Sequence, residues 1–166
     1  MRKAMISLAG VPFGALALVI ANISTLAQSA NPLVGAWKLT SFQQQVLKDG
    51  SVISPQGEKP QGRLVYTANS QFATMSTTSD RKIAGPDMTD ERLALFKTMY
   101  AFSGTYKVEG NQVTTTTDIS WRPDWVGRKA TGTFKIEGDK LSLESAPFRN
   151  VRGDEVVATT VYAREE

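Results

Sequence analysis

Two tripeptides, Glu109-Gly110-Asn111 and Glu137-Gly138-Asp139, restrict the fold of this 166-residue chain more than any other feature. The first lies between Thr105–Val108 and Gln112–Ser120, the second between Arg128–Ile136 and Lys140–Ser145. All four runs are strand-like. Glycine tolerates the positive φ that tight β-turns require, so each tripeptide predicts an antiparallel hairpin. The same punctuation recurs upstream. Trp37–Val46 reads as a long strand ended by Lys48-Asp49-Gly50, and Ser51–Ser54 as a short one closed by Pro55. Gly62–Thr67 and Gln71–Thr77 form a hairpin about Ala68-Asn69-Ser70, and Glu155–Arg164 is a last strand. About nine short strands at regular spacing point to an all-β domain, an antiparallel sandwich or barrel.

One segment breaks the rhythm. Thr89 can cap a helix whose first turn holds Asp90 and Glu91, acids suited to the positive end of the helix dipole. Leu93, Phe96 and Tyr100 recur at helical spacing, with Leu95, Met99 and Phe102 on the adjoining stripe. This predicts a helix from Asp90 to Phe102 between the fourth and fifth strands. Its apolar arc covers about half the circumference, enough to lie against a sheet or over a barrel mouth.

Met1–Ala30 has Arg2 and Lys3, no acid, an apolar stretch from Ala4 to Ala27 and small residues at Thr25, Ala27, Ser29 and Ala30. That order is a secretory signal peptide, cleaved after Ala27 or within the next three residues. An uncleaved anchor is the alternative, but Pro12, Gly10 and Gly14 interrupt the run. Export to the periplasm or medium is therefore expected, with no membrane span left after cleavage. The whole chain has 19 basic and 16 acidic side chains; without Arg2 and Lys3, 17 face 16. The basic residues that remain are dispersed, so no contiguous face for nucleic acid is expected. With 41% apolar and 21% charged residues the chain is neither disordered nor fibrous. It contains 0 Cys and 0 His. Disulfides, His/Cys zinc sites, and Ser-His or Cys-His nucleophile pairs are thereby excluded.

Five segments in order carry a resemblance. They are Asn31-Pro32-Leu33-Val34-Gly35-Ala36-Trp37-Lys38-Leu39, Gly62-Arg63-Leu64-Val65-Tyr66-Thr67, Tyr100-Ala101-Phe102-Ser103-Gly104-Thr105-Tyr106, Pro123-Asp124-Trp125-Val126-Gly127 and Glu137-Gly138-Asp139-Lys140-Leu141. Together they resemble the bacterial and fungal lipocalin-like domain family of small single-domain β-barrels. The resemblance runs from Asn31 to about Arg164. It implies a lipocalin-like antiparallel β-barrel domain over 31–166, behind a signal peptide over 1–30. It further implies that Trp37 of Gly35-Ala36-Trp37 closes one end of the barrel. Arg164 stands where a basic residue of the last strand would lie across that ring. These three are structural. The family implies a barrel that can hold a ligand and no settled reaction. Relatives carry His in the strand corresponding to Thr114–Thr117, where this chain has Thr. Lipocalins proper place their helix after the last barrel strands, unlike the insertion expected here.

The candidate site is read from aromatic residues. Trp121-Arg122-Pro123-Asp124-Trp125 is a loop with two indoles flanking charge, and rings at a barrel rim commonly line ligand mouths. Tyr66, Tyr100 and Tyr106 each offer a hydroxyl on an apolar body. Asp118 is the best general base if the lumen is polar, and a solvated acid if Val113 and Ile119 face inward. Arg63 and Arg122 are candidates for a ligand carboxylate. Asp87, Asp90 and Glu91 look like helix-start chemistry rather than metal ligands. The expected function is binding of a small apolar ligand inside an exported barrel, as carrier or sensor rather than catalyst. Tyr66, Phe96, Met99, Tyr100 and Trp125 would line the site beneath the helix, with no catalytic residue, metal or cofactor. Two alternatives stay open. One is a structural or partner-binding barrel with a filled interior. The other is a cyclase- or isomerase-type enzyme in which an Asp or Tyr moves a proton.

Overall fold

A computed structural model describes residues 31–82 and 92–165. The expected signal peptide over 1–30 and the expected helix cap at Thr89-Asp90-Glu91 lie outside the described residues, as does Asp87.

Ten strands form among the described residues: β1 (Gly35–Val46), β2 (Val52–Ile53), β3 (Gln61–Tyr66), β4 (Gln71–Thr77), β5 (Met99–Glu109), β6 (Gln112–Ser120), β7 (Lys129–Glu137), β8 (Lys140–Ser145), β9 (Phe148–Arg149) and β10 (Glu155–Arg164). Eight of them close an antiparallel barrel in the order β1-β3-β4-β5-β6-β7-β8-β10, with β10 pairing back onto β1. The two-residue strands β2 and β9 extend the upper ends of β1 and β10. Closure leaves no long strand edge exposed. Both Gly-centred hairpins form, with Gly110 and Gly138 at φ +62° and +57°.

The short turns gather at one end, here the lower one, and the longer connections at the upper end. Alternation along each strand fills the lower half of the lumen with Trp37, Leu39, Leu64, Tyr66, Phe72 and Tyr162, among others. Leu33, from the lead-in to β1, crosses beneath them, fully buried.

A helix does sit between the fourth and fifth strands, but it is shorter than its periodicity predicts. α1 spans Arg92–Lys97. The Thr98 hydroxyl then donates to the carbonyls of Ala94 and Leu95, and the chain enters β5 at Met99. From there Met99 pairs with Thr77, Tyr100 with Ser76 and Phe102 with Thr74. The ladder with β4, together with burial of alternate aromatic residues in the lumen, overrides the helical spacing. Leu93 and Phe96, meant for a packed helix face, are 63% and 44% exposed.

A second irregularity decides which way Ile119 points. The β5–β6 register slips between Ser103 and Gly104, so that Ser103 faces Ile119 while Gly104 faces Thr117. Asp118 is the extra residue of this bulge. Val113 is therefore buried in the lumen while Ile119, six residues on, is 69% exposed. No single parity governs both. A Cβ at Gly104 would collide with the Thr116 carbonyl, so the close approach of β5 and β6 at the bulge needs glycine.

Candidate functional site

The lower end is a closed plug. Trp37 is 0% exposed, and its indole Nε1–H donates to the Leu33 carbonyl at 2.8 Å. The Arg164 guanidinium lies 4.0 Å from the Trp37 ring centroid. Its Nη1 and Nη2 donate to the carbonyls of Val34 and Pro32 at 3.2 and 3.1 Å, tying the lead-in across the barrel base. Gly35 makes room for this: it sits at φ +136°, and a Cβ there would lie 2.9 Å from Arg164 Nη1. Above the plug, Tyr66 packs edge-on against Tyr106 at 4.6 Å and against Phe72 at 6.4 Å. Burial raises the pKa of the Tyr66 hydroxyl above its ordinary value.

The upper end is built differently. Strand β5 delivers Tyr100 and Phe102 to the lumen, and the connection from β6 to β7 folds back over them. That connection contains a single 3-10 turn, Pro123–Trp125, started by the fixed φ of Pro123. Its position is fixed because Trp121 N–H donates to the Ala101 carbonyl and Gly127 N–H to that of Thr117. Trp121 and Trp125 meet edge-on at 4.6 Å. Trp121 lies 5.1 Å from Tyr100, and Trp125 lies 5.4 Å from Phe102. Phe42 reaches from β1 across the lumen to within 6.5 Å of Tyr100. All five rings are only half-buried. Phe72 and Phe102, 5.9 Å apart, join this cluster to the lower core.

Charge frames the cluster on its outer side. The Arg128 guanidinium lies 5.0 Å from the Trp125 ring centroid and that of Arg122 lies 5.9 Å away. Arg122 forms a two-pronged pair with Asp124, at 3.0 and 2.7 Å, which holds the Asp124 carboxyl below the usual carboxylate range. Burial raises the Tyr100 pKa, partly opposed by Arg122.

The five residues expected to line one site are thus dispersed. Tyr100 and Trp125 meet in the upper lumen, 6.2 Å between centroids. Met99 precedes Tyr100 in an extended strand and so faces the opposite side of the wall. Phe96 is on the exposed helix, and Tyr66 lies in the lower core. The helix that was to turn Phe96, Met99 and Tyr100 toward the lumen ends at Lys97. Phe42 and Phe102 are members that sequence reasoning did not assign to the site. Of the carboxylate-binding candidates, Arg63 is paired with Glu165 outside the lumen and Arg122 with Asp124. Asp118 is exposed and accepts a hydrogen bond from Ser103 Oγ at 3.2 Å. Recesses of about 270 and 140 Å³ lie along the strands elsewhere, lined mainly by polar side chains such as Thr114, Lys129 and Glu144.

The chain matches a family described as a lipocalin-like domain over residues 34–164. Among solved structures it is similar to a lipocalin-like protein from Bacteroides uniformis, with 14% identity and a TM-score of 0.43 over 80% of this chain and 98% of that one. An uncharacterized protein from Bacteroides eggerthii is likewise 14% identical, with a TM-score of 0.41 over 80% and 99% of the two chains. No curated protein matches the chain.

Proposed function

The chain belongs to the lipocalin-like domain family, and on that premise we propose that it is an exported barrel binding a small apolar molecule in its upper lumen, as a carrier or sensor rather than a catalyst. One observation carries the reading: the upper lumen presents five aromatic rings that are only half-buried, above a lower core that is packed shut. Rigid rings with residual exposed area gain about 25 cal/mol for each Å² that a ligand covers, at little entropic cost. Tyr100 and Trp125 are the proposed contacts. Phe96 and Met99 stand outside the lumen and Tyr66 beneath it.

The chemistry of the lumen supports binding over catalysis. Its polar members are amides and hydroxyls, including Gln44, Thr74 and Thr117. Every described Asp and Glu is exposed except Asp154 and Glu165, which lie in the β9–β10 turn and in the pair with Arg63. Proton transfer inside the barrel would fall to Tyr100, whose raised pKa suits it poorly to give or take a proton near neutrality.

The approach of Phe42 to Tyr100 across the lumen favours a second reading, a barrel filled by its own side chains. Titration with the neutral fluorescent probe N-phenyl-1-naphthylamine separates the two. The first reading expects saturable binding with tryptophan quenching, weakened about five- to tenfold in Tyr100→Ala and in Trp125→Ala. An absence of saturable binding, or unchanged affinity in both variants, would establish the filled barrel.

A further inference from the structure

The upper lumen carries a polar mark beside its aromatic cluster. Gln56, in the loop between β2 and β3, is 3% exposed, and its Nε2 donates to Ser76 Oγ at 2.8 Å. Ser76 alternates with Phe72 and Thr74 on the lumen side of β4 and pairs with Tyr100. The Gln56 amide is therefore held against the upper lumen next to that tyrosine. Its carbonyl Oε1 has no hydrogen-bond partner among the described residues. The buried hydroxyl of Thr78, two residues beyond Ser76, has none there either. Buried polar atoms are almost always paired, and leaving one unpaired is costly.

Building on the apolar-ligand reading above, we propose that the Gln56 carbonyl receives the polar end of the ligand, and that this end is a hydroxyl. A hydroxyl carries the donor that Gln56 Oε1 lacks. An ionised carboxylate has only acceptors and would face the Gln56 carbonyl without a proton to offer. An ether or ester likewise lacks the donor. The ligand class is thus an apolar alcohol, its body on Tyr100 and Trp125 and its head on Gln56. Gln56 is the residue that sets specificity.

Competition against N-phenyl-1-naphthylamine tests this with the full chain and two competitors, 1-decanol and its methyl ether. They share one body and differ by the donor. In a purely apolar lumen the ether would win, having an extra carbon and no hydroxyl to desolvate. With the Gln56 carbonyl waiting for a donor, the alcohol should compete about tenfold better. In Gln56→Met, with the fold checked by circular dichroism, the two should come within about twofold, the ether being unchanged. Equal competition in the wild type would mean that water satisfies the amide, overturning this inference while leaving the apolar-ligand reading in place. So would a probe that binds but yields to neither competitor, or an alcohol preference that survives in Gln56→Met. If the probe itself does not bind, the reading beneath falls and takes this inference with it.

Discussion

Trp37 and Arg164 show how few side chains close the barrel base. The indole is fully buried, its one polar atom is satisfied, and a guanidinium covers its face. Trp37→Ala removes a large buried aromatic side chain, for which about 3–5 kcal/mol is the expected loss in a denaturant titration. A loss under about 1 kcal/mol would mean that Trp37 is not the plug. Arg164→Met keeps the aliphatic stem but gives up the ring contact and both carbonyl bonds. It should cost about 2 kcal/mol by the same measurement. Tyr106 adds a second tie at this end, its hydroxyl donating to the Thr67 carbonyl and accepting from Asn31 Nδ2.

Elements differ in how far their own sequence determines them. The hairpins about Gly110 and Gly138 were legible because turn chemistry is local: a glycine at positive φ suffices to reverse the chain. The end of α1 was not, because Tyr100 and Phe102 satisfy the two adjoining stripes of a helix and one face of a strand with Gly104 equally well. Only pairing with β4 decides between them. The outward turn of Ile119 was hidden for a similar reason, since the bulge that exposes it depends on Gly104 from another strand. Gln56 carries no pattern at all, being one polar residue in a loop, and burial by its neighbours alone marks it. Two substitutions separate these cases by thermal or denaturant unfolding. Gly104→Ala should cost at least about 2 kcal/mol, because its Cβ meets strand backbone rather than a movable side chain. Phe96→Ala, on the exposed helix, should stay within about 0.5 kcal/mol of wild type.

For the molecule as a whole, closure through β1 and β10 distinguishes a barrel from the sandwich that the strand spacing equally allowed. It also accounts for the tyrosines. Burial raises the pKa of all four, Tyr66, Tyr100, Tyr106 and Tyr162. Above about pH 10, the ordinary tyrosine value, the folded chain thus holds protons that the unfolded chain has lost. Stability must then fall as pH rises through that point. Ultraviolet difference spectroscopy should show tyrosine ionisation delayed beyond pH 10 and coincident with unfolding, whereas tyrosines titrating normally in a folded chain would contradict their burial. The export proposal predicts that the protein isolated from its host begins between Gln28 and Asn31, and N-terminal sequencing that returns Met1 from a soluble fraction would refute it. The central claim is that the upper lumen of this barrel, and not its outer wall or helix, takes an apolar ligand. Crystals grown with a long-chain 1-alkanol brominated at its far end test that most directly, because anomalous scattering locates the bromine. Bromine is expected inside the upper lumen, within van der Waals reach of Tyr100 or Trp125. Bromine found only against Leu93 and Phe96 or on the outer strand faces, with an unoccupied lumen, would contradict it.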